Sequence, residues 1–317
     1  MTTDGGNNSA EHDRYHREQR KHILQAHPDV RSLIRKDPAL CLWAAGLNVV
    51  QVVIAISLAH SAWWAAVVAA IFAGAFISHA LNVIIHEAAH ELIFAGSSCN
   101  RLVGILANAT GVFPTAVAFR HYHLLHYRFL GVDGRDPDMP QDWEVKIFDT
   151  TRGGKLAWLL LLPIWYALLH PLTVKPRLTP DRWFALNAMV TALALAGIIH
   201  FGGWNSVLYL VCSVLLSVGC HPAGEHILQE HVWFGAPRET SSYYGPMNLI
   251  SFDFGHHTEH HDFSNIPTRD LHTLTEMAPE FYVADPAYRS RTRLLWAFVI
   301  DRRIRMQQRN HASQRAA

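Results

Sequence analysis

PALCLWAAGLNVVQVVIAISLAHSAWWAAVVAAIFAGAFISHALNVIIH, residues 38–86, contains no Asp, Glu, Lys or Arg, and it is flanked by Asp37 and Glu87. One membrane crossing takes about 20 apolar residues. The stretch is too long for one crossing and suits two. His60-Ser61 divides it, and Trp63 and Trp64 just beyond have the chemistry of interfacial anchors. A buried hairpin of a soluble protein would also be apolar, but its water-facing side would carry charge. The pattern predicts spans at about 41–60 and 63–85.

The rest of the chain agrees. Hydrophobic residues make up 50% of it and charged residues 17%, against roughly 25% charged in soluble domains. Two further apolar runs, 184–200 and 206–220, meet at Gly202-Gly203 and predict a second pair of spans. Residues 156–172 are apolar but hold Pro163, Trp165, Tyr166 and His170, which suits a helix lying in the interface. Gly104, Gly111 and Pro114 break the apolar segment 102–118 into something shorter than a span. Residues 1–15 are expected to lack fixed structure, and the segment from Arg14 to Lys36 suits short amphipathic helices on an anionic membrane surface. No secretory signal or myristoylation site is expected. The expected organisation is a cytoplasmic segment over 1–40, a membrane domain over 41–303 and a basic tail over 304–317. Basic residues lie before 41, around 175–182 and in the tail, while the turns at 60–62 and 201–204 are uncharged, so both termini are expected in the cytoplasm. The fold class expected is all-α: a multi-span membrane protein of about four helices with a cytoplasmic, histidine-rich, di-metal cap. A net charge of +1 gives no basis for nucleic-acid binding. Cys41, Cys99, Cys212 and Cys220 are scattered and imply neither disulfides nor a thiolate site.

The chain has 22 histidines, and their spacing carries the chemistry. FDFGHHTEHHDFSNIP (252–267) holds His256, His257, His260 and His261, three of them spaced for a helical turn. HEAAH places His86 and His90 on one helix face, with Glu87 and Glu91 beside them. RHYHLLHYR (120–128) offers His123 and His126, with His121 or Tyr127 as weaker candidates. CHPAGEHILQEH (220–231) offers His221, His226 and His231, five apart, so that at most two can share a face. With two spans between them, these groups emerge on one side of the membrane. So many imidazoles exceed the needs of one ion, and nitrogen-rich ligation without thiolates suits two irons that activate O2. HEAAH also fits the zinc-protease pattern HExxH, in which the glutamate is the general base; that reading leaves the other clusters unused. A metal transporter would want ionisable groups inside the spans, where only His79 lies deep.

Together HEAAH, HYHLLHYRFLGVDGRDPDMP, HPAGEHILQEH and SSYYGPMNLISFDFGHHTEHHDFSNIP resemble the membrane fatty-acid desaturases, and within them the sphingolipid delta-4 desaturases, over about residues 22–303. The resemblance implies an O2-dependent di-iron enzyme that introduces the C4–C5 double bond into the sphinganine chain of dihydroceramide; some relatives hydroxylate C4. It implies His86, His90, His123, His126, His257, His260 and His261 as catalytic ligands, with His231 best matching a further one. The family's second box usually ends His-His, whereas this chain has His126-Tyr127. A phenol is a poorer neutral ligand, so hydroxylation, another regiochemistry or a non-catalytic lipid-binding role are alternatives. The substrate is expected to be a ceramide-like or acyl lipid. Phe119, Trp143 and Tyr243 are candidates to shape the acyl tunnel, and Asp133, Asp136 and Asp138 to cap helices or orient ligands. No haem domain, nucleotide fingerprint or iron–sulfur pattern is present, so a separate cytochrome b5-like or ferredoxin-like electron donor is expected. The membrane would be the plasma membrane in a bacterium or the endoplasmic reticulum in a eukaryote.

Overall fold

A computed structural model describes residues 5–130, 132, 134–166, 170–231, 240–282 and 289–306. In chain order come α1 (Gly5–Ala26), α2 (Ala39–Ser57), α3 (Trp63–Ala89, with a π turn at Ala70–Gly74), α4 (Ser97–Ala107) and α5 (Ala116–Phe129). There follow α6 (Asp142–Phe148), α7 (Arg152–Ile164), α8 (Arg182–Leu216), α9 (His226–His231), α10 (His257–Asp262), α11 (Leu271–Met277) and α12 (Arg291–Ile300). The described residues are helix and loop throughout. The protein is all-α and multi-span, and α2, α3 and α8 are each long and apolar enough to cross a membrane.

These helices are inside out relative to a water-soluble bundle. Asn48, Gln51, Ser78, Ser206 and Ser213 are buried, while Leu42, Phe72 and Trp204 are each more than three-quarters exposed. In lipid, apolar faces gain nothing by meeting one another, and small or hydrogen-bonding side chains join the helices instead. Gln51 donates to Ser78 Oγ at 2.9 Å and accepts from Tyr209 Oη at 2.5 Å. Gly74 lets α3 and α8 close up: a Cβ there would lie 1.9 Å from Ser213 Oγ.

α8 begins at Asp181, whose carboxylate accepts from the Trp183 and Phe184 amides at 3.0 Å. Gly203 breaks it, with φ 64° and ψ −162°. Before the break, Asn187 and Thr191 bond Asn108, near Thr110, which donates to Asn48 of α2. After it, Asn205 reaches Leu58 O and Ser61 O, Ser206 reaches Ala55 O, Tyr209 reaches Gln51, and Ser217 receives Asn82. The second half therefore runs back along α2.

Outside these helices α7 is amphipathic. Trp158, Leu159 and Leu162 pack with Phe298 and Val299 of α12, while Leu156, Leu160 and Ile164 face outward. Its 13 residues reach roughly 20 Å, short of the roughly 30 Å hydrocarbon core. Helix begins at Gly5 rather than after residue 15, because α1 is anchored further on and extending a helix costs far less than starting one. The apolar side of the N-terminal segment is also spent on protein: Ile23 and Val30 pack with Phe263, Ile266, Leu271 and Leu274. α1 thereby crosses α10 at the end of the bundle where the histidines gather.

Candidate metal centre

α3 carries His86 into the centre, and His90 follows at its C-terminal cap. α5 supplies His123 and α10 supplies His260. One nitrogen from each of these four rings lies within 4.8 Å of all the others. His90 Nε2 is 2.9 Å from His123 Nε2 and 3.3 Å from His260 Nε2. Burial pushes the His90 imidazole down to about 3. Burial, then neighbouring histidines, also lowers His123 and His260 well below their ordinary value. Neutral rings aim lone pairs at a common point, an arrangement a shared cation relieves. His86 Nε2 is buried there without a hydrogen-bond partner among the described residues. The residues fit a transition-metal ion.

The i,i+3 and i,i+4 spacings divide the remaining histidines onto a second group. On α5, His126 sits one turn beyond His123, and its Nδ1 meets Asp136 at 2.8 Å and Asp138 at 3.4 Å. A carboxylate on Nδ1 fixes the tautomer that offers Nε2 to a metal. On α10, His257 and His261 have ring centroids 4.5 Å apart, and His261 lies 6.1 Å from His126. His257 Nδ1 has Glu230 at 3.8 Å. Tyr127 stacks on His261 at 4.5 Å and meets His90 at 4.8 Å and His123 at 5.0 Å, so its ring sits between the groups. Burial, reinforced by Glu230, Glu87 and Asp138, raises its phenol well above the usual value and keeps it protonated.

Asp136 and Asp138 each bring a carboxylate oxygen within 4.8 Å of the other and of a His126 nitrogen, so these three could share an ion, whereas Glu87 and Glu259 are engaged in hydrogen bonds. Glu87 Oε1 is 3.2 Å from His86 Nδ1, and Oε2 accepts from the Thr268 amide at 3.0 Å. A protease base would need to face water, and Glu87 is fully buried. Glu259 fixes α10 by accepting from Ser242, Tyr244 and Thr275.

The other candidates divide. His121 Nε2 is turned to Pro176 O and His221 Nε2 to Ile71 O. The His226 ring faces His79 at 4.7 Å. The His231 side chain and Asp133 lie outside the described residues. Phe119 stacks on His123 at 4.9 Å; Trp143 packs against Trp165, and Tyr243 lies under Arg291. Sequence reasoning missed His16, whose Nδ1 reaches Asp262 at 2.5 Å and whose ring is 5.4 Å from His261. Only the histidine-rich composition of the first turns hinted at it.

The fatty acid desaturase family model matches residues 61–292. A sphingolipid delta(4)-desaturase DES1-like protein of Oryza sativa subsp. japonica is 36% identical over 292 residues, covering 92% of this chain and 88% of the relative. The chain belongs to the sphingolipid delta-4-desaturase family. The Drosophila melanogaster sphingolipid delta(4)-desaturase DES1 is 36% identical over 307 residues, 94% of each chain. A Mus musculus relative, sphingolipid delta(4)-desaturase/C4-monooxygenase DES2, is 38% identical over 293 residues, covering 91% and 89%. No solved structure matches. Membership of this desaturase family makes the chain an oxidoreductase.

Proposed function

We propose that the chain is an O2-dependent, non-haem di-iron desaturase that introduces the C4–C5 double bond into the sphinganine chain of dihydroceramide. The observation that carries this is the convergence of buried imidazoles in two adjoining groups at one end of apolar helices. His86, His90, His123 and His260 would hold one iron. His126, His257 and His261 would hold the other, with His231 as a further ligand. Bound iron supplies O2 activation and removal of hydrogen from an unactivated methylene. The chain's own residues do the rest. Asp136 orients His126, Glu87 orients His86, and Phe119 walls His123. The apolar helices keep water from the methylenes. Two electrons come from a separate carrier of the cytochrome b5 or ferredoxin kind.

The hydrogen bonds on either side of Gly203 support four crossings, and the basic flanks beside uncharged turns support the histidine groups and both termini on the cytoplasmic side. One observation favours a second outcome. Tyr127 occupies the boundary between the groups, where the family usually has histidine, and a shifted iron position would favour C4 hydroxylation. Iron content and lipid products decide. About two irons per chain and an alkene from dihydroceramide are expected. An alcohol product selects the second outcome. One iron or none, restored to two by Tyr127→His, overturns the di-iron reading of the natural chain.

A further inference from the structure

Beneath the first histidine group lies a set of buried polar side chains that no metal ligation uses. His79 is 2% exposed, and neither ring nitrogen has a hydrogen-bond partner among the described residues. Arg291, the first residue of α12, is 2% exposed and lies over the Tyr243 ring, and among the described residues its Nε, Nη1 and Nη2 have no hydrogen-bond partner. Glu225 is fully buried with both carboxylate oxygens in the same condition. Arg291 Nε and Glu225 Oε2 are 4.0 Å apart, close enough to attract and too far to hydrogen-bond. Glu225 precedes His226, whose ring meets His79 at 4.7 Å.

Leaving so many polar atoms unpaired in one buried place is costly, and native structures tolerate it where something else supplies the partners. The location says what. Phe254 touches His79 at 6.0 Å, His226 at 5.4 Å and His86 of the first metal group at 4.9 Å. His79 and His86 are seven residues apart on α3, so they share a face about 10 Å apart along the axis. Dihydroceramide carries its hydroxyls on C1 and C3 and its amide on C2, immediately beside the C4–C5 bond. Whatever holds that polar end must therefore adjoin the metal groups.

We propose that His79, Glu225 and Arg291 form the receptor for the uncharged diol-amide end of the sphingoid substrate. The assignment rests on the dihydroceramide reading above. Glu225 accepts from a hydroxyl or from the amide N–H, Arg291 donates to hydroxyl or amide oxygens, and His79 can do either. One cation beside one carboxyl suits a neutral head and gives no surplus charge for a phosphate. Anchoring the head fixes which methylene stands at the metal groups, so these are positioning and specificity residues.

The test compares binding of dihydroceramide with binding of an analogue lacking the C1 and C3 hydroxyls, using iron-loaded protein in phosphatidylcholine nanodiscs. Wild type should prefer dihydroceramide by about tenfold or more, the worth of a buried hydrogen bond. His79→Leu and the paired Glu225→Gln/Arg291→Met should bind both lipids within about threefold of one another while keeping wild-type iron content. His79→Gln, which retains a donor and an acceptor, should recover part of the preference. Variants that keep iron and discriminate as wild type does would overturn the receptor and leave the desaturase reading standing. Wild type that holds two irons yet does not bind dihydroceramide would overturn the substrate reading, and the receptor with it.

Discussion

At the residue level two of the converging imidazoles carry a carboxylate on Nδ1, His86 from Glu87 and His126 from Asp136. Asp136 on His126 Nδ1 is the clearest case. Asp136→Asn leaves the shape and removes the charge that fixes the tautomer. Loss of such a support typically weakens metal binding about 10–100-fold. A chelator titration should then remove one iron per chain early and the other at the wild-type concentration; simultaneous loss would mean that His126 does not separate the two groups. Glu87→Gln should weaken the other iron by a similar factor, because an amide still accepts from Thr268 but holds His86 less firmly. A second consequence concerns pH. In iron-free protein His90 is held near 3, and His123 and His260 are lowered, against about 6.5 when unfolded. The unfolded chain then binds more protons between those values. Stability is thus complete above about 6.5 and declines as pH falls toward 3. The unfolding midpoint of iron-free protein should drop between about pH 7 and 5, and iron loading should blunt the drop. A flat profile for the iron-free protein would show that the rings are not buried neutral.

Among elements, the closest approach is that of α3 and α8 at Gly74. Gly74→Ala puts a Cβ 1.9 Å from Ser213 Oγ and 2.8 Å from Tyr209 Cε2. Neither neighbour can retreat freely, since Tyr209 is bonded to Gln51 and Ser213 to Tyr209 O. Overpacking of this kind costs about 1–3 kcal/mol, visible as a lower unfolding midpoint in detergent; adding Ser213→Gly should recover part of it. Full stability in the single variant would mean that the helices are not in contact there. This contact also marks where the sequence stops being informative. The charge-free run from Pro38 to His86 reads as membrane because no water-facing side exists anywhere in it. The HEAAH spacing shows that two rings share a face. Nothing local says that α10 sends His260 to one group and His257 with His261 to the other, because that depends on where α5 lies. His226 is one of the weaker candidates by sequence, and its ring turns to His79. His16 joins the site from 246 residues away through Asp262, and no periodicity reports a contact of that range.

For the whole molecule the decisive quantity is the number of crossings, since an odd count between the histidine segments would put them on opposite sides of the membrane. α8 runs for 35 residues with a non-helical break inside it, and about 20 residues suffice for one crossing. Gly203 lies near its middle with φ 64°; before it Asn187 bonds Asn108, two residues from the Thr110 that bonds Asn48 midway along α2, and after it Asn205 bonds Ser61, just past the C-terminal end of α2. The exposed tryptophans agree: Trp63, Trp64 and Trp204 lie by the two uncharged turns, the kind of residue that settles at an interface. In a cysteine-free background, Ser61→Cys and Trp204→Cys should both react with a membrane-impermeant maleimide added to intact cells. The natural Cys99, exposed in the first turn of α4, should react only after permeabilisation when restored alone. If the cysteine at 204 behaves like Cys99 instead, α8 crosses once, and no single di-metal site could draw ligands from both α5 and α10. The convergence of the histidines from α5 and α10 would then require a different fold of the second half.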